Sequence, residues 1–151
     1  MKKIWNLCAA VLAAAVLFAL AGCSARTPIT ADEFKKQAEA QGFKVTDASG
    51  ASPTVEKYFD AVKSETGTDI TYLAFSSESA AQESYKTIKA NISNGATGAS
   101  TNVDSSSYNK YTFVNGELSH TLVRMNKTIV YGKTTTAHKN QVDDFLKAIK
   151  Y

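Results

Sequence analysis

At 151 residues, with 44% apolar and 10% aromatic side chains, the chain suits one globular domain and is too rich in core formers for general disorder. The formal charge of +3 contains no basic run of five or more residues. Nucleic acid is held by clustered Lys and Arg on phosphates, so a nucleic-acid partner is not expected.

The chain opens on Met1-Lys2-Lys3, continues through an apolar stretch over residues 7–20 and reaches Leu20-Ala21-Gly22-Cys23. A spanning helix needs about 20 apolar residues and a secretion leader roughly 7 to 15, so this stretch has the length of a leader. Small Ala21 and Gly22 let the backbone lie extended in a peptidase cleft. Together these residues resemble the lipobox of bacterial lipoproteins. The resemblance implies thioether diacylation of Cys23 and removal of residues 1–22 as a signal peptide. An uncleaved membrane anchor, or an ordinary signal cut before a free cysteine, are the competing interpretations. Two acyl chains hold a protein on a bilayer where one does so only marginally. The expected location is the extracytoplasmic face of the cell membrane, with membrane lipid as a partner through acylated Cys23.

Cleavage would remove Lys2 and Lys3 but no acid, leaving 15 basic against 14 acidic residues. It would also remove Cys8, and lipid would occupy Cys23. Disulfides, thiol redox chemistry and cysteine nucleophiles are then excluded from the mature domain. Residues 23–30 become the lipidated cysteine and a short tether. From Ser24 to Thr30 the chain reaches roughly 25 Å, which would confine the domain to the membrane surface.

Residues 31–151 read as a single α+β domain. Thr30 and Glu33 have capping-box spacing at the start of a helix over residues 31–41. Phe34 and Ala38 share its inner face, and Gly42-Phe43 is a Schellman-like stop. Residues 43–46 alternate like a half-buried strand. Residues 55–62 fit either a helical face or a strand and are assigned to a strand, paired with the strand-like residues 69–76. Ser76 or Ser77 caps a second helix on which Ala81, Tyr85, Ile88 and Ile92 recur at helical spacing, ending at Asn94-Gly95. The polar residues 93–107 predict a long mobile loop. Residues 108–114 and 117–125 flank Asn115-Gly116, a hairpin signal of type I′ chemistry. Asn126-Lys127 turns the chain again into residues 128–133. A last helix over residues 137–150 places Val142, Phe145, Leu146 and Ile149 on one stripe. The expected architecture is an antiparallel sheet of about five to six strands with about three helices packed on one face.

Chemistry-bearing patterns are sparse. His120 and His138 fall on different elements, and no HxxxH or HExxH spacing or third ligand accompanies them, so no metal is expected. Asp143 and Asp144 follow His138 too closely along a helix to face it, and no GxSxG elbow exists. Glu117 and the Asp143, Asp144 pair have no neighbour that would separate their pKa values. Glycines form neither GxGxxG nor GxxxxGK, so no cofactor is expected. Tyr108, Tyr111 and Tyr131 fall on the predicted meander, where flat amphipathic rings suit a glycan or a peptide, although sheet packing explains them as well. Arg124, the sole arginine of the folded part, shares a strand face with Leu118, His120 and Leu122. It suits a carboxylate or phosphate clamp, or simply an aliphatic stem laid on the sheet.

The Gln-Gly-Phe-Lys-Val end of the first helix, the meander and the closing Asp-Phe-Leu-Lys helix resemble small uncharacterised lipoproteins of Gram-positive bacteria. That resemblance implies no catalytic motif. The expectation is a non-enzymatic domain that binds or scaffolds an envelope glycan, a peptide or a membrane protein, with Tyr108, Tyr111, His120, Arg124 and Tyr131 as candidate ligand residues. A cell-envelope hydrolase and an accessory subunit of a membrane complex are the alternatives.

Overall fold

The computed structural model describes residues 27–50 and 52–151. The leader, the Leu20-Ala21-Gly22-Cys23 motif and the first tether residues lie outside the described residues. No helix among the described residues is long and apolar enough to cross a membrane.

The first helix, α1 (Ala31–Ala40), begins where Thr30 accepts from the Glu33 amide and Glu33 reaches back to the Thr30 amide. It stops where Phe43 N–H donates to Ala38 and Gly42 N–H to Glu39, the Schellman pair of bonds. Both signals were legible in the sequence. Strands β1 (Lys44–Asp47), β2 (Val55–Lys63) and β3 (Thr68–Phe75) follow as a meander. The ambiguous residues 55–62 therefore form a strand, with a bulge between Val55 and Lys57.

Helix α2 (Glu78–Ser93) is capped by the Ser77 hydroxyl. Strands β4 (Ala99–Asp104), β5 (Tyr108–Asn115), β6 (Leu118–Met125) and β7 (Thr128–Thr135) form a second meander. A short 3₁₀ turn then leads into α3 (Lys139–Ala148). In the β5–β6 hairpin Asn115 pairs with Leu118, so the central turn residues are Gly116 and Glu117, one position later than expected. Only Gly116 of the two has positive φ, at 55°, so a type I′ turn, which needs two, is not formed.

Among the described residues the strands make one seven-stranded antiparallel sheet in the order β1-β2-β3-β7-β6-β5-β4, accompanied by three α-helices. The α+β class and the antiparallel sheet agree with the sequence. Three further expectations need correction. The sheet has seven strands where five to six were expected, the additional edge strand being β4. Residues 93–107 are not a long loop, because β4 occupies their centre and pairs with β5 from Ala99↔Val114 to Asp104↔Asn109. All six β4 residues are exposed, so the strand carries no alternating apolar pattern.

The helices also do not share one face. Ile70 and Tyr72 of β3, Val123 and Met125 of β6 and Val130 of β7 pack with α1 and α3. Phe75, Leu122 and Ile129, on the other side of the same strands, pack with α2. Successive strand side chains point to opposite faces. The sheet is therefore covered on both sides at its centre, which explains consecutive apolar residues such as Leu122-Val123 and Ile129-Val130. Gly132 of β7 lies under Val142 of α3, where any Cβ would collide with the valine methyls. That glycine lets α3 settle close to the sheet.

Candidate functional site

On the α2 side, Asp104, Asn109 and Arg124 are cross-strand partners in one row over β4, β5 and β6. Antiparallel partners stand about 5 Å apart, so their side chains meet. Arg124 Nε donates to Asn109 Oδ1 at 2.6 Å, and Asn109 Nδ2 donates to Asp104 Oδ1 at 2.8 Å. Asn102 also donates to Asp104. These amides hold the Asp104 carboxyl below its usual range.

Arg124 is only 1% exposed. Its Nη1 donates to the Asn126 carbonyl at 2.9 Å and its Nη2 to the Ser106 carbonyl at 2.8 Å. No carboxylate pairs with it among the described residues. Burial pulls its pKa below the ordinary arginine value, partly offset by Glu78 and Tyr85. A guanidinium remains charged at neutral pH even so. The fold thus buries a cation against neutral oxygens.

Helix α2 forms the opposite wall. Ala81 and Tyr85 are its buried residues, and Gln82, Lys86 and Lys89 stand along the same cleft. Between that helix and the β4–β5 hairpin lies a cavity of about 400 Å³, within the range of small-ligand sites. Tyr85 is 4% exposed, and its hydroxyl has no hydrogen-bond partner among the described residues. Burial, with Asp104 nearby, pushes that hydroxyl's pKa up, so it stays protonated and can donate. Lys89 donates to Asn102 Oδ1 at 2.7 Å and lies 4.9 Å above the Tyr111 ring. Lys86 is exposed and has no ion pair among the described residues.

The five residues singled out by sequence are not one site. Arg124 lies in the cleft, and Tyr111 lies beneath Lys89, 5% exposed and stacked on Phe113. Tyr108 is on the opposite face and packs against the α1 and α3 core. His120 and Tyr131 form their own pair. His120 Nδ1 is 2.7 Å from the Tyr131 hydroxyl, and the rings stack at 6.0 Å. Burial and Lys133 lower the His120 pKa, and burial raises that of Tyr131 to about 12. The row of tyrosines is thus divided by the pleat.

Asp143 and Asp144 pair with Lys139 and Lys147 of their own helix. His138 stands at the start of α3 and makes no capping bond through its side chain. Among the described residues no group of three His, Cys, Asp or Glu is placed to hold a metal ion. By sequence Tyr85 is only one member of a helical apolar stripe, Asp104 falls in the expected polar loop and Asn109 in the strand over residues 108–114, without a distinguishing signal. The available signal was the pair Lys86 and Lys89, which flanks that stripe.

No family model matches the chain, and no curated protein matches it. Among solved structures it is similar to a GTP binding regulator from Thermotoga maritima, at 15% identity over 80% of this chain and 84% of that one, with a TM-score of 0.49. A likeness of that degree carries over neither an activity nor a residue.

Proposed function

We propose that the chain is a lipid-anchored, extracytoplasmic binding protein of the bacterial envelope, without catalytic activity, whose ligand enters the cleft between α2 and the β4–β5 hairpin. The binding half rests on one observation, the buried Tyr85 hydroxyl left without a partner among the described residues, on a residue that lines a cavity of about 400 Å³. Burying a hydroxyl without a hydrogen bond costs roughly 1–3 kcal/mol, and a bound ligand can supply the missing acceptor. Support for the anchoring half is the Leu20-Ala21-Gly22-Cys23 motif. A tether of roughly 25 Å would hold the cleft near envelope glycans, peptides and lipid headgroups.

Cys23→Ala tests the anchor. The wild-type protein is expected in the membrane fraction and labelled by radioactive palmitate, and the variant unlabelled and released. Membrane retention of the variant would overturn anchoring through Cys23. Binding is tested separately by titrating the purified full chain, in neutral detergent, with wall glycan fragments, stem peptides and soluble phospholipid headgroups. Silence toward all of them would remove the binding assignment.

A further inference from the structure

We infer that the α2 cleft is an oxyanion site, which takes its ligand by one phosphate or carboxylate group held between Arg124 and Tyr85, with Lys86 and Lys89 at the rim. This rests on the cleft being the ligand site and specifies what enters it.

Two independent features point to an anion. Arg124 has five N–H donors, and three are engaged, one each to Asn109, Asn126 and Ser106. The two left over belong to Nη1 and Nη2, and free guanidinium N–H groups suit carboxylate and phosphate oxygens. The second feature is the Tyr85 hydroxyl, a buried donor without a partner among the described residues, carried by a residue that lines the same cavity. An oxyanion accepts from both and supplies a directly paired counter-charge, which the buried guanidinium lacks among the described residues.

The charge balance agrees. Arg124, Lys86 and Lys89 face a single lining carboxylate, Asp104. That carboxylate is already engaged by the amides of Asn102 and Asn109. A purely structural role for Arg124, tying the Ser106 and Asn126 carbonyls to β6, explains its three bonds. It does not explain the unpartnered hydroxyl or the two lysines. The cavity is larger than one anionic group needs, so the ligand extends beyond it. The same chemistry is offered by a phospholipid headgroup and by a soluble phosphate ester or carboxylate.

The test is calorimetric titration of the full chain in neutral detergent with inorganic phosphate, with acetate, and with a short-chain phosphatidylglycerol below its micelle concentration. Saturable binding of phosphate or acetate is expected, weakening with salt. Tyr85→Phe should weaken it about tenfold, the size of one hydrogen bond to a charged group, with an unchanged or higher melting temperature. Lys89→Gln should weaken binding and flatten its salt dependence. Tighter binding of the short-chain lipid than of free phosphate, lost in Tyr85→Phe, assigns the headgroup as the source. The reverse order assigns a soluble ligand.

Undiminished binding in Tyr85→Phe would overturn the site, as would non-saturable binding unaffected by either variant. A clear drop in melting temperature for Tyr85→Phe would show that the hydroxyl serves the fold, and would overturn it too. If glycans or peptides bind and no anion does, the oxyanion site falls while the binding function stands.

Discussion

The two faces of the sheet are built to different standards. Under α1 and α3 the packing is closed. Phe34 stacks on Tyr72 at 5.0 Å and meets the edge of Phe145 at 5.4 Å. The polar groups there have partners. Tyr72 donates to the Ile29 carbonyl, Thr128 bonds the Tyr151 hydroxyl, and Thr66, Thr68, Thr134 and Gln141 bond one another. Under α2 the apolar part is equally well buried, with Leu122 and Ile129 at 0% exposure, yet among the described residues its margin leaves a guanidinium without a directly paired carboxylate and a hydroxyl without a partner. One face is completed by its own side chains. The other is completed only at its centre.

The closed face should therefore carry the stability. Phe145→Ala removes a ring that is 0% exposed and contacts both Phe34 and Phe43. A loss of about 3–5 kcal/mol is expected, read from denaturant unfolding with an unchanged slope. A loss under about 1 kcal/mol would mean that this side repacks easily, and the contrast would disappear.

Arg124→Met is expected to have an intermediate effect, because two opposing terms meet. Three hydrogen bonds to a charged donor are lost, each worth about 1.5–3 kcal/mol, while relief from burying an unpaired charge returns several kcal/mol. Those terms largely cancel, and a net loss smaller than that of Phe145→Ala is expected. A gain in stability, seen as a higher denaturant midpoint, would show that the guanidinium is kept at the fold's expense and would sharpen the contrast further.

The smallest effect belongs to His120, at the far end of the α2 face. Its folded-state pKa lies below the ordinary value of about 6.5, so the unfolded chain takes up a proton first as pH falls. The contribution is therefore complete above about pH 6.5 and is lost as pH drops through the unfolded value toward the folded one. Melting temperatures between pH 7.5 and 5 should decline less steeply in His120→Gln. Equal slopes would show that the stacked pair with Tyr131 does not sense protonation.

Local signals translated well. Thr30 with Glu33, Gly42 with Phe43, and Val142 with Phe145 and Leu146 each act within one or two helical turns, so spacing alone was enough to place them. The strand β4 and the side on which α2 lies were misjudged for a common reason. A fully exposed edge strand has no apolar period, and a strand covered on both faces has no alternation either. The pairs Leu122-Val123 and Ile129-Val130 did hint at double coverage. The candidate site was legible only as Arg124. Tyr85 looked like one more member of an apolar stripe, and nothing local distinguishes a satisfied buried hydroxyl from an unsatisfied one.

By itself the sequence determined the α+β composition, the caps and stops of the helices, the strand pairs joined by short turns and the lipobox-like motif at Cys23. All of these depend on residues near one another in the chain. Tertiary structure alone decided that α2 lies opposite α1 and α3, that Tyr108 is separated from Arg124 by the sheet, and that Asp104, Asn109, Arg124 and Tyr85 meet around one cavity. Those outcomes depend on strand register and on which face of the pleat each side chain takes, and a shift of one residue would reverse every one of them.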